Sequence, residues 1–111
     1  MLSILVALSS CKSDAQKYVD NAIDISDEYI ERLKNATSKE EVIELRKEHG
    51  ERLEHEFLKT MGEGTERKAE NKMQSILNES DWNEVQNMKN RMKESKKRTE
   101  HAEDEAFKRF E

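Results

Sequence analysis

The chain has 111 residues, enough for one small domain. Charged residues make up 41% of it and hydrophobic residues 33%, with a formal net charge of −5, which leaves no material for a large globular core and disfavours a nucleic-acid-binding role. The absence of proline, the presence of only 3 glycines and the Glu/Lys/Arg/Leu/Met content exclude a turn-rich β architecture and favour long helices, which bury a narrow stripe and need little core per residue. One cysteine excludes an internal disulfide.

The N-terminus carries the first legible element. Leu2, Ile4, Leu5, Val6, Ala7 and Leu8 form an apolar run that closes on Leu8-Ser9-Ser10-Cys11. A branched aliphatic residue, two small residues and then the sole cysteine resemble the lipobox of bacterial lipoproteins. The resemblance implies cleavage between Ser10 and Cys11, residues 1–10 being a signal-peptide remnant, and lipidation of Cys11 at its sulfur and at the new amino terminus. It also implies a place in the bacterial cell envelope, held by lipid at the outer membrane, because Lys12 stands where inner-membrane retention is associated with aspartate. A signal peptide normally opens with a basic segment. No Lys or Arg precedes Lys12, so such a segment is expected upstream of Met1 in the gene. The apolar run is far shorter than the ~20 residues a bilayer span requires. It fits an anchor.

Residues 11–16 read as the lipidated cysteine and a polar tether, followed by a single helical domain over 17–111. The first helix is expected over Asp14–Asn35, capped by Ser13 or Asp14. Its stripe is Val19, Ile23, Ser26, Ile30 and Leu33, flanked by Tyr18, Ala22 and Tyr29, a helical seam by its three- and four-residue steps. Asn35-Ala36-Thr37 makes a turn, and Ser38 with Glu41 forms a capping box. A second helix reaches about Met61 with Val42, Leu45, His49, Leu53 and Phe57 in phase. Gly50 inside it costs about 1 kcal/mol against alanine and predicts a bend or a fray. Met61-Gly62-Glu63-Gly64 is a break. Thr65 then caps a third helix to about Leu77, with Ala69, Met73, Ile76 and Leu77 inward. Asp81, paired box-like with Glu84, starts a fourth from Trp82 towards Phe110. Its face is Val85, Met88, Met92, Ser95, Thr99, Ala102, Ala106 and Phe110, and at 1.5 Å per residue it is a rod of ~40 Å. The third and fourth helices could equally be one helix with a kink. Trp82 is expected to anchor the turn, and Phe107 and Phe110 to pack.

Side chains with chemistry in them form few constellations. His49, His55 and His101 lack metal-ligand spacing, so no metal is expected, and His49 on the apolar stripe reads as a hydrogen-bonded core histidine. Asp20, Asp24, Asp27, Glu28 and Glu31 share one exposed face without the alternation or glycine turn of a calcium loop. They also lack the cleft that separates carboxyl pKa values for acid/base work. Met73, Met88 and Met92 suit gap-filling in a core. The strongest charge feature is basic: Lys89, Arg91, Lys93, Lys96, Lys97 and Arg98, interrupted by Glu94. That face can pair with the acidic face of the first helix, or grip an anionic surface such as lipid headgroups or glycan.

The expectation is an all-α fold, a small antiparallel bundle of three or four long amphipathic helices tethered through Cys11. Its function is that of an envelope lipoprotein, a helical binding or structural module without catalysis and without cofactors. Its partners are the membrane, through the N-terminal lipid, and an envelope protein or a second copy of itself; nucleic acid is not among them. Two other readings compete: a peripheral binder of anionic lipid or glycan through the basic face of the last helix, and a cytoplasmic helical adaptor or antitoxin-like protein with a free Cys11 thiol.

Overall fold

Among the described residues, every helix starts where a side-chain oxygen takes up an amide of the first turn. Residues 12–111 are described by a computed structural model; the lipobox-like segment, Ser10 and Cys11 included, lies outside the described residues. Within them stand four helices: α1 (Asp14–Lys34), α2 (Lys39–Met61), α3 (Glu66–Glu79) and α4 (Trp82–Lys108). The fold is an all-α helical bundle.

Ser13 Oγ accepts from the Gln16 amide at 3.1 Å, and Gln16 Oε1 accepts from the Ser13 amide at 2.9 Å, a full capping box. Asp14, Ala15 and Gln16 therefore belong to α1 and shorten the expected tether. At α2 the Ser38 hydroxyl accepts from Glu41 as expected, but the Glu41 carboxylate reaches one residue further back. It accepts from the amide and the hydroxyl of Thr37, both at 3.0 Å. Those two bonds hold the Glu41 carboxyl below its ordinary range. The α2 helix ends at Gly62, whose φ of +69° is a left-handed conformation that a side chain would strain. It runs on through Gly50 without interruption. Thr65 caps α3 through the Lys68 amide. Asp81 caps α4 through Asn83 rather than through a pairing with Glu84. Ser80 and Asp81 both have extended ψ angles, so α3 and α4 are two helices and not one kinked rod.

Packing follows the seam of α1. Ala15, Val19, Ala22, Ser26, Tyr29 and Leu33 are buried along it. Tyr29 takes the inward place expected of Ile30, which is half-buried, because a 3.6-residue period rotates the stripe by that one position. α2 turns back along α1 through the short Asn35–Ser38 connection. α4 runs in the same direction as α1: Met88 clusters with Ala15 and Val19, Arg91 meets Asp20, Arg98 meets Asp27, and Arg109 reaches the end of α1. The three long helices thus run up, down and up. α3 closes the lower end, where Lys72 Nζ donates to the Met61 carbonyl at 2.6 Å and pairs with Asp14 at 3.2 Å. Arg109 donates to the carbonyls of Leu33 and Ala36 at 2.7 and 3.2 Å, completing the C-terminus of α1 with a cation where the helix dipole favours one.

Apolar burial is split in two. An upper cluster joins Tyr29, Leu33, Ala36, Val42, Leu45 and Ala106, with Ala102, Phe107 and Phe110 packed against it. A lower cluster joins Ala15, Val19 and Met88, with Ile23, Met73, Ile76, Leu77, Val85 and Met92 around them. The radius of gyration is 16.6 Å, against ~13 Å for a compact domain of this size, so the bundle is elongated. Trp82 does not anchor the turn: it is 72% exposed, because Val85 and Met88 occupy the inward positions of the first turns of α4.

Leu33 is fully buried where α1, α2 and α4 converge, so Leu33→Ala is expected to destabilise the protein by about 2–5 kcal/mol. A Cβ at Gly50 would meet nothing within 4 Å, so Gly50→Ala should stabilise by about 0.5–1 kcal/mol. Urea unfolding followed by circular dichroism reads both.

Candidate functional site

Between the two clusters the seams carry small hydroxyl residues instead of aliphatic ones. Ser26 on α1 and Ser95 and Thr99 on α4 are all buried. Thr99 Oγ1 donates to the Ser95 carbonyl at 2.8 Å, and Ser26 Oγ shares a hydrogen bond of 3.0 Å with His49 Nε2. Among the described residues no buried side-chain nitrogen or oxygen lacks a partner. What these residues do not supply is bulk. α2 and α4 meet at the upper cluster, pack separately on α1 below it, and leave a groove of ≈ 750 Å³ between them.

Val19, Tyr18 and Ser26 form the floor of the groove, and His49 and Leu53 of α2 one wall. Met88, Met92, Ser95 and Thr99 of α4 form the other wall, and Met73 and Leu77 of α3 close the lower end. The lining is mostly apolar. Its rim is charged: Lys89, Lys93 and Lys96 stand at i, i+4 and i+7 along α4, Arg46 stands on α2, and Glu100 and Glu103 lie towards the upper end.

One polar pin fixes the width. His49 stacks on Tyr29 with ring centroids 4.2 Å apart and planes 12° from parallel, while Tyr29 Oη donates to Glu103 Oε1 at 2.9 Å. α2 is thereby joined through α1 to α4 across the top of the groove. Burial, reinforced by the bond to Glu103, pushes the Tyr29 hydroxyl well above its ordinary pKa. Burial also lowers the His49 pKa, and the nearby Arg52 cation lowers it further. The expectation of a hydrogen-bonded core histidine holds in its bonding, though the ring is only half-buried.

The structure divides the basic face of α4, all six of whose cations are exposed. Arg91 pairs with Asp20 at 2.8 Å and Arg98 with Asp27 at 3.4 Å, both towards α1, while Lys97 lies 3.9 Å from Glu94 on its own helix. Asp20 is also bound by Lys12 at 2.7 Å; these bonds, Lys12 first and then Arg91, hold its carboxyl low. Lys89, Lys93 and Lys96 stay on the groove rim and enter no ion pair among the described residues. On the far side, Asp24, Glu48, Glu51, Arg52, His55 and Glu56 line a charged concavity of ≈ 620 Å³ between α1 and α2. It is bridged by Arg32–Glu48 and Asn21–Glu56 contacts of 2.7 Å and reads as hydrated surface. No group of three His, Cys, Asp or Glu that could hold a metal occurs among the described residues. None of the described helices is long and apolar enough to cross a membrane.

Comparison of the chain with known protein families, with curated proteins and with solved structures gave no match. The groove was not foreseen from the sequence. Its signal was there: Ser26, Ser95 and Thr99 interrupt apolar seams where leucine-sized side chains would otherwise fill the middle of a bundle.

His49 makes stability depend on pH in a defined direction. Its native pKa lies below the ordinary value of 6.5, so the unfolded chain takes up the proton first as pH falls. Stability is therefore retained above pH 6.5 and declines from there towards the lower native value. The groups facing the ring are Arg52 of its own helix, Ser26 and Tyr29. His49→Gln should flatten the wild-type decline in thermal midpoint between about pH 7 and pH 5, while leaving the acid loss from Asp20, Glu41 and Glu48 at lower pH.

Proposed function

We propose that this protein is a small lipid-anchored helical module of the bacterial envelope, held through an acylated Cys11 after removal of residues 1–10, and that it acts by binding in the groove between α2 and α4. The observation that carries the binding half is the apolar groove itself, ≈ 750 Å³ in volume, within the ~300–1,000 Å³ of small-molecule sites. Of its lining groups, His49 is bonded to Ser26 and Glu103 accepts from Tyr29 behind the wall, as suits a scaffold that holds a ligand rather than one that moves protons. The lipobox resemblance of Leu8-Ser9-Ser10-Cys11 carries the location, with the outer membrane as its side of the envelope.

A second reading draws on exposed Lys89, Lys93, Lys96 and Lys97, which together can grip an anionic lipid or glycan surface. It requires binding to anionic vesicles that falls steeply with salt and disappears when Lys96, Lys97 and Arg98 become glutamate. Wild-type protein that ignores such vesicles at low salt removes it.

Intact mass of protein purified from bacterial membranes, expressed from the gene with its native upstream sequence, is expected to show loss of residues 1–10 and gain of lipid. Cys11→Ala should abolish both changes; an uncleaved wild-type chain with a free thiol would return the cytoplasmic adaptor reading. For the groove, the neutral polarity-sensitive dye Nile red should bind saturably at one site. Thr99→Leu, which thickens the α4 wall into the groove, should abolish that binding while leaving helicity and thermal midpoint at or above wild type.

A further inference from the structure

The groove has a polarity along its length. Its lower part is lined by Met73, Leu77, Met88 and Met92, thioether and aliphatic chains that yield to an apolar guest. Its α4 rim beside that part carries Lys89 and Lys93, with Lys96 one turn further up, and its upper end carries Glu100 and Glu103. A negative group is thus favoured beside the lysines and disfavoured at the carboxylates. The three lysine ammonium groups are unengaged by carboxylates of the described residues, on a chain whose overall charge is −5. The charge on this rim is a local inversion of the molecule's own sign.

The groove is lined at its lower end by Met73 and Leu77, and α2 and α4 come together above it where Val42 and Leu45 cluster with Ala106. From Lys89 to Glu103 the α4 wall rises ~21 Å at 1.5 Å per residue. A docked helix long enough to be stable, ~12–15 residues or ~18–22 Å and ~10 Å across, matches that wall in length but occupies on the order of 1,400 Å³, about twice the volume of the groove. A single extended hydrocarbon chain is far slimmer and fits within it.

From this juxtaposition we infer that the groove takes a fatty acid: one acyl chain laid against the methionines of the lower part, with its carboxylate at the Lys89, Lys93 and Lys96 rim. The inference rests on the groove being the working surface and names what that surface selects. Burial of the chain supplies most of the affinity, and the lysines supply the choice of head group. Exposed charge contacts are individually weak, so the preference is expected to be modest and to shrink as salt is added.

The experiment is displacement of Nile red by dodecanoate, dodecanol and dodecylamine, each below its aggregation concentration, at low salt. Dodecanoate should compete at one site and roughly tenfold more tightly than dodecanol, with dodecylamine weakest, given three exposed charge contacts to one head group. Replacing Lys89, Lys93 and Lys96 together by Gln, all exposed positions, should bring dodecanoate down to the level of dodecanol and leave dodecanol unchanged. Thr99→Leu should abolish displacement by all three while the fold is retained by circular dichroism. Equal binding of dodecanoate and dodecanol to wild type, or a preference that survives in the lysine variant, overturns the inference. Dye that binds the groove and is displaced by none of the three amphiphiles also overturns it, yet leaves the groove as a binding surface. Dye binding untouched by Thr99→Leu removes the groove reading itself.

Discussion

The structure depends on α1 being buried from two sides at once. α2 and α4 each pack along it, and they meet one another chiefly at the top, where Val42 and Leu45 face Ala106. Because α1 is the shared surface, its seam of Ala15, Val19, Ala22, Ser26, Tyr29 and Leu33 has to serve two partners, and its small residues let both helices approach. Burial at the convergence point around Leu33 and the Arg109 bonds to the carbonyls of Leu33 and Ala36 bind the two outer helices together at one end. At the other end α3 performs that task, with Lys72 bridging the start of α1 and the end of α2.

Between these two ties the outer helices are free to stand apart, and the residues there are too small to draw them together. A leucine at 26, 95 or 99 would fill the middle of the bundle and gain the stabilisation of close packing. Serine and threonine forgo that gain, and the Ser26 and Thr99 hydroxyls keep their hydrogen bonds. Small residues of this kind exchange stability for an open interior, the usual relation between a binding site and the fold that carries it. The Tyr29–His49 stack and the Tyr29–Glu103 bond then set the spacing, so the groove is held open by a hydrogen-bonded frame as well as by a lack of bulk.

Charge is distributed with the same economy. Asp20 and Asp27 of α1 draw Arg91 and Arg98 of α4 inward, and Glu28 draws Arg52 of α2. These pairs are exposed and each contributes ~0–1 kcal/mol, so they align helices more than they stabilise them. The three lysines left on the groove rim belong to the same helical run as the two arginines, separated from them by the turn of the helix.

Much of the architecture was legible in the sequence because helix formation is local. The Ser13, Ser38 and Thr65 caps, the glycine break after Met61, and the seven-residue spacing of Val19, Ser26 and Leu33 depend on residues within a turn or two of each other. The same locality explains the small misreadings, since Glu41 and Asp81 could each satisfy more than one neighbouring group, and Ile30 and Tyr29 sit one position apart on the same face. Trp82 was misassigned because burial of a residue at a helix start depends on what lies beside it, which spacing does not state. Which cations of α4 turn to α1 and which line a groove, that α2 and α4 part below Leu45, and that Ser26, Ser95 and Thr99 come together were decided by tertiary packing alone. Each is a relation between side chains more than 20 residues apart in the chain, and no period or motif within one helix encodes it.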